Sequence, residues 1–397
     1  MSRQPGSTEY TLIERPDQLA AVCEHARAQS GFAFDTEFVM EDRYEPEVCL
    51  IQLAAENTVA LIDPYLDFDL DPVWQLVCDP AVETIVHAGQ EDLALCVQHT
   101  GKLPKNVFDV QIAAGFVGYD YPISLQKLIQ AALHIRLHKA KTLTDWRRRP
   151  LTSAQLHYAA EDVCHLLAVR RKLHERLVNT GRVDWAQEEF RGFEDMSAYG
   201  REDEDKLRRV KGTAALKGRA LLIARELLTW RDDLARHLNR PSRAILKDHL
   251  LVEIARLQLA GHSEIRDLRG INLSDKHVQA LGVVVQHAMT LPIEDKPAEK
   301  SPEFETPQET VLIALATAVI RSYCLEKDLA YSLVATKKSI RDLIRHRSAG
   351  HPSRVEDVEL LNGWRAKTVG ALLDDLLAGK RTVRVEPVNG ELLVHVK

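Results

Sequence analysis

Several common signatures are missing from this 397-residue chain. Its six cysteines (Cys23, Cys49, Cys78, Cys96, Cys164 and Cys324) include no CxxC pair and sit mostly within apolar runs. That pattern argues against a disulfide framework or a zinc site; buried reduced thiols in a cytoplasmic protein are expected instead. The longest apolar run, Val311 to Ile320, is about half of what a bilayer span requires. The first 30 residues carry Glu9, Glu14, Arg15 and Asp17 and no apolar run, so no signal peptide is expected. A P-loop, G-x-x-x-x-G-K followed by Ser or Thr, is also lacking. Gly101-Lys102 is followed by Leu-Pro and has no leading glycine, which argues against a helicase motor.

Net charge is small as well, −6 in total, but that sum conceals an asymmetry. Residues 1–200 hold 19 basic and 30 acidic side chains, whereas residues 206–290 hold 16 basic and 8 acidic. Residues 291–397 balance at 16 and 16. An acidic front and a basic middle call for separate explanations.

In the front part, strand-like and helix-like segments alternate. Tyr10–Glu14, Gly31–Val39, Val48–Ala55 and Thr58–Ile62 read as strands, the last three with short connections that suggest an antiparallel meander. Helical periods near Pro72–Cys78, Glu91–His99, Val110–Val117 and Ser124–Ala132 and after Pro150 surround a further strand at Glu83–Ala88. The expectation is one α/β domain over 1–200, a mixed central sheet flanked by helices. From Lys206 the strand signal fades into helical segments. Leu291–Glu309, with four prolines and many charges, reads as a linker. A second helical block of similar size follows at 301–380, and residues 381–397 form a tail with a hairpin signal at Asn389-Gly390.

The most informative segment is Gly31-Phe-Ala-Phe-Asp35-Thr-Glu37-Phe-Val39. Its composition is that of a buried strand, yet Asp35 and Glu37 lie two apart and so project from one face. Adjacent like charges in a buried strand repel one another and lose hydration. Three readings fit: a cation occupies that face, the pair lies at a strand end in water, or an arginine neutralises it. Asp92 falls on the first helical turn after a strand, where it either complements the helix dipole or meets a ligand. Tyr158 and Asp162 share one face of a helix for which Thr152 and Gln155 suggest a capping box. Glu161, one residue off that line, is expected in solvent, and Asp109 is read as an N-cap. Four carboxylates from three segments suit hard divalent cations such as Mg²⁺ or Mn²⁺.

Phe34-Asp-Thr-Glu37-Phe, His87-Ala-Gly-Gln-Glu-Asp92 and Tyr158-Ala-Ala-Glu-Asp162 resemble the three exonuclease motifs of the DEDD superfamily, in its tyrosine-bearing branch. Cys49-Leu-Ile-Gln-Leu53, Phe108-Asp-Val-Gln-Ile112 and Thr144-Asp-Trp-Arg-Arg-Arg-Pro-Leu-Thr152 extend the resemblance to the ribonuclease D family across residues 10–180. The resemblance implies a ribonuclease-H-like fold and two divalent ions held by Asp35, Glu37, Asp92 and Asp162. It also implies a water positioned by Tyr158 and 5′-mononucleotides released from an RNA 3′ end.

Residues 206–290 are similar to HRDC domains of ribonuclease D and RecQ-type helicases, through Ala220-Leu-Leu-Ile-Ala-Arg-Glu-Leu-Leu-Thr-Trp230 and Asn239-Arg-Pro241-Ser-Arg-Ala-Ile245. The block at 301–380 is read as a second, diverged copy. Lys139, Lys141, Arg147, Arg148 and Arg149 are candidates for gripping an RNA backbone. The expected partner is RNA with a free 3′ end, precursor tRNA by family, handled by a cytoplasmic monomer without a membrane. A DNA exonuclease with the same chemistry and an inactive RNA-binding scaffold are the competing readings.

Overall fold

A computed structural model describes residues 9–67, 69–137, 145–199, 206–207, 209–293, 305–348, 354–388 and 391–397. The chain divides into two compact units, one made of residues 1–37, 49–196 and 304–397, the other of residues 38–48 and 197–303.

The first unit is built on a six-stranded sheet of β1 (Thr11–Ile13), β2 (Gly31–Val39), β3 (Glu47–Ala55), β4 (Thr58–Ile62), β5 (Glu83–Val86) and β6 (Val107–Asp109), in the order β1-β4-β3-β2-β5-β6. β3 and β4 pair antiparallel, while β1–β4, β2–β5 and β5–β6 pair parallel, so the sheet is mixed as expected. β6 is absent from the sequence expectation, because three residues are too few to show a strand period. Helices α1 (Pro16–Ala28), α2 (Asp71–Val77), α3 (Gln90–Thr100), α4 (Val110–Gly115), α5 (Leu125–Leu133), α6 (Ser153–Cys164), α7 (Leu166–Thr180) and α8 (Val183–Arg191) flank it. α6 starts where expected: the Thr152 hydroxyl accepts from the Gln155 backbone N–H, and the Gln155 side chain accepts from the Thr152 N–H. Its small residues Ala159 and Ala160 are buried against Leu50 of β3 and Leu61 of β4. That close seat brings the flanking Tyr158 and Asp162 down to the sheet.

The second unit is helical, with α9 (Gly218–His237), α10 (Ser242–Ile245), α11 (Asp248–Leu257), α12 (His262–Arg266) and α13 (Asp275–Thr290). Ile223, Leu227, Leu251, Ile254, Leu281 and Val285 belong to its own core, and Trp230 packs on that core as a structural residue. The segment 38–48 joins this unit. Asn239 Oδ1 accepts from the Tyr44 and Glu45 N–H groups at 3.2 Å each, and the Arg236 guanidinium lies 5.3 Å from the centre of the Tyr44 ring.

The described residues from 305 onward share a core with the six-stranded sheet instead of building one of their own. α14 (Pro307–Lys327) is 21 residues long and, by length and composition, apolar enough to cross a membrane. Here its Ile313, Ala316, Val319 and Ile320 enter the cluster that also holds Phe116, Leu173 and Leu177. The linker expectation ended too late: Thr306 caps α14, Pro307 is its first residue, and Glu309 completes the capping box. α15 (Tyr331–Val334), α16 (Lys337–Arg347), α17 (Gly363–Arg365) and α18 (Ala371–Leu377) follow. Gly115 permits the contact, since a Cβ there would stand 2.8 Å from Leu333 Cδ2, and its carbonyl accepts from the Ala330 N–H at 2.8 Å. β7 (Val383–Val388) and β8 (Glu391–Val396) pair antiparallel, and Asn389-Gly390 between them lies outside the described residues.

Candidate active site

Three side chains meet first. Asp35 and Glu37, on one face of β2, and Asp162 of α6 offer carboxylate oxygens that all lie within 4.8 Å of one another. Asp92, buried at the start of α3, lies close enough for its charge to act on Asp35, Glu37 and Asp162. One of its oxygens accepts a hydrogen bond from the Thr36 hydroxyl. The three segments therefore converge, with Asp92 tied to β2 through the residue that separates Asp35 from Glu37. Sequence reasoning missed Thr36, whose only signal is a hydroxyl between two acids in an otherwise apolar strand.

The turn that presents Asp92 is held by Asp109. Its carboxylate accepts from the Ala88 and Gly89 N–H groups (3.2 and 3.1 Å) and caps α4 through the Gln111 and Ile112 N–H groups (2.7 and 3.3 Å). Asp109 is thus an N-cap, and a brace for the β5–α3 turn. Gly89 is required there, because a Cβ would come within 2.5 Å of the Val86 side chain.

Electrostatically the site is frustrated. Burial, then repulsion by Asp162 and Asp92, pushes Glu37 up to about 8. Burial is the main cause of the rise of Asp92 to about 6 and of Asp162 to about 7, each partly offset by a hydrogen bond, from Thr36 and Tyr158 respectively. Asp35 is raised well above the usual carboxylate range by burial and by the other three acids. Among the described residues, no Lys or Arg forms an ion pair with any of the four. An all-oxygen, uncompensated donor set of this kind fits hard divalent cations, which reverse the local field.

The Tyr158 hydroxyl lies near enough to the Asp162 carboxylate for each to influence the other's ionisation, and its ring stands 6.2 Å, centre to centre, from that of Trp146. Burial, followed by the charges of Asp162, Glu37 and Asp35, moves the phenol above its ordinary range, so it keeps its proton. Glu161 corrects the sequence expectation: it is buried and lies 3.3 Å from His157 Nε2.

The basic candidates separate. Arg147 and Arg148 both reach Asp145 (3.2 and 3.5 Å), and Arg148 remains 84% exposed. Arg149 has a different task. It donates to both Asp63 oxygens (2.6 and 2.8 Å) and to the Cys49 and Trp146 carbonyls (2.7 Å each), and it covers the Tyr65 ring at 4.4 Å. Arg149→Ala is therefore expected to destabilise the fold by about 2–4 kcal/mol, by taking from Asp63 its ion-pair partner and from two carbonyls their guanidinium donor. Thermal unfolding would register that loss. Lys139 and Lys141 lie outside the described residues.

A family model described as 3′-5′ exonuclease matches residues 10–178, and one described as HRDC domain matches residues 221–276. The chain is 33% identical to the ribonuclease D of Acidiphilium cryptum over 378 residues, covering 93% of each chain. It is 32% identical to that of Granulibacter bethesdensis, covering 100% of this chain and 97% of the other. Among solved structures it is similar to Escherichia coli RNase D, described as an exoribonuclease involved in structured RNA processing. The TM-score is 0.80 and the identity 29%, across 94% of this chain and 99% of that one.

Proposed function

We propose, from the fact that this chain belongs to the ribonuclease D family and is a 3′→5′ exoribonuclease, that Asp35, Glu37, Asp92 and Asp162 hold two divalent cations, Mg²⁺ or Mn²⁺. The observation that carries the reading is the group of three carboxylates within 4.8 Å. When bound, such ions supply Lewis-acid polarisation of the scissile phosphate and stabilise charge on the attacking and leaving oxygens. The chain's own residues do the rest. Thr36 fixes the direction of the Asp92 carboxylate, and Asp109 fixes the turn beneath it. Tyr158, kept as a neutral phenol, orients the attacking water by hydrogen bonding instead of removing its proton. Arg148, with Arg147 beside it, supports contact with the RNA backbone, and the basic surplus at 206–290 supports salt-dependent binding by an HRDC-type module. The substrates on this reading are structured RNAs with a free 3′ end, precursor tRNA among them, processed in the cytoplasm by a monomer.

The test is digestion of a 5′-end-labelled RNA with Mg²⁺ or Mn²⁺, beside a DNA of the same sequence. The expected result is a descending ladder from the 3′ end with 5′-mononucleotide products, abolished by a chelator and weaker on DNA. Equal or faster digestion of DNA would move the assignment to the deoxyribonuclease alternative. Tyr158→Phe is expected to lower turnover by about 10²-fold. The thermal stabilisation given by divalent ions should be retained, because no carboxylate is lost.

A further inference from the structure

α2 ends at Cys78, its C-cap residue, and Cys96 lies in α3 one helical turn beyond Asp92. Their Sγ atoms are 3.5 Å apart. Cys78 is half-buried, whereas Cys96 is fully buried. The Thr100 hydroxyl lies 3.9 Å from Cys78 Sγ and donates to the Cys96 carbonyl at 2.8 Å, and Cys96 Sγ reaches the Trp74 carbonyl at 3.8 Å. A partly exposed thiol thus faces a fully buried second thiol, the arrangement of an attacking and a resolving cysteine.

We propose that Cys78 and Cys96 are a peroxide-oxidised site whose reversible disulfide slows the nuclease. The Cys78 thiolate attacks one oxygen of hydrogen peroxide, the O–O bond breaks, and hydroxide leaves with a sulfenic acid on Cys78. Cys96 then gives up its proton and attacks the Cys78 sulfur, and water departs as the S–S bond forms. The two sulfurs together lose two electrons, which reduce one peroxide to two waters. The environment favours the first step. The hydrogen bond from Cys96, opposed by burial and assisted by Thr100 and Lys102, brings the Cys78 thiol down to about 6. Cys96 is driven above the ordinary thiol range, so it waits as the protonated partner.

The consequence follows from where the two residues sit. A disulfide is about 2.05 Å long, so the sulfurs must close by roughly 1.5 Å from their 3.5 Å separation. That movement draws α3, whose first turn carries Asp92, toward the end of α2. Displacement of an active-site group by about 1 Å can cost as much as 10²-fold in rate. This last step rests on the reading of Asp92 as an ion-holding residue; disulfide formation does not.

The experiment treats the full-length protein with hydrogen peroxide, quenches with catalase, and measures free thiols in denaturant, a non-reducing peptide map and RNA turnover. Expected are the loss of two of the six thiols, a Cys78–Cys96 peptide, and a fall in turnover of at least about tenfold that dithiothreitol reverses. Cys78→Ser should keep its basal turnover and its remaining thiols, and should resist the fall. Absence of the linked peptide overturns the site. A linked peptide with turnover unchanged, or a Cys78→Ser variant slowed as much as the parent, overturns the regulation. Since the peptide map needs no nuclease activity, failure of the proposed function would show separately.

Discussion

Asp35→Asn is expected to lower RNA turnover by at least about 10³-fold, with Asp162→Asn close behind. The two substitutions act on the same feature from different elements. Asp35 stands on β2 and Asp162 on α6, yet their oxygens fall within one 4.8 Å group with Glu37. An asparagine keeps the shape of the side chain and removes the charge that an incoming cation needs. Stability should move the opposite way. Burial and three neighbouring acids disfavour the Asp35 carboxylate in the ion-free protein, so a neutral side chain relieves repulsion. In mildly alkaline buffer without divalent ions, the variant should melt higher than the parent by roughly 2 °C or more. Adding Mg²⁺ or Mn²⁺ should then stabilise the parent far more than Asp35→Asn. Calorimetry with and without ions, run beside the digestion assay, checks both halves. A variant that is inactive and also less stable without ions would point to a purely structural Asp35 and remove the metal site from the account.

This opposition between stability and function is also why so much of the site was legible beforehand. Asp35 and Glu37 break the apolar pattern of β2, and a break with no local explanation points to something outside the chain. Tyr158 and Asp162 were readable for another reason, the helical period and the capping box at Thr152 and Gln155, which the structure bears out. Thr36 was not readable, because its value lies in the pairing with Asp92, 56 positions away. Arg149 looked like part of a basic cluster. Its partner Asp63, 86 positions earlier, leaves no mark on the local sequence, so nothing there separates a guanidinium that clamps the fold from one that grips RNA. Asp109 shows the reverse case, since an acid immediately before a helix is most simply a cap, and here it is one.

The largest expected change in stability comes from Trp364→Ala, which is also where local pattern was least informative. An apolar helix declares that it needs a partner but not which one, and so the sequence marks 301–380 as a second, diverged helical block without saying what it packs against. In the structure Trp364 is fully buried, stacks on Trp185 with ring centres 5.3 Å apart, and meets Phe116 edge-on at 5.0 Å. Its indole N–H donates to Glu189 at 2.7 Å, and Arg365 donates to the same carboxylate at 2.6 Å. Nearby, the buried Arg182 donates to the Phe116 carbonyl at 2.6 Å and to the Asp328 carbonyl at 3.2 Å. Removing the indole leaves a cavity between α4, α8 and α17 and should cost about 3–5 kcal/mol. Trp364→Phe, which keeps most of the packing and loses the hydrogen bond, should cost about 1–2 kcal/mol. Because these contacts reach the helices behind the sheet, nuclease activity and helical signal should disappear in one transition, at a temperature lowered together in both variants. Early loss of helix with activity retained to the parent's own melting temperature would show instead that residues 304–397 unfold as an independent module.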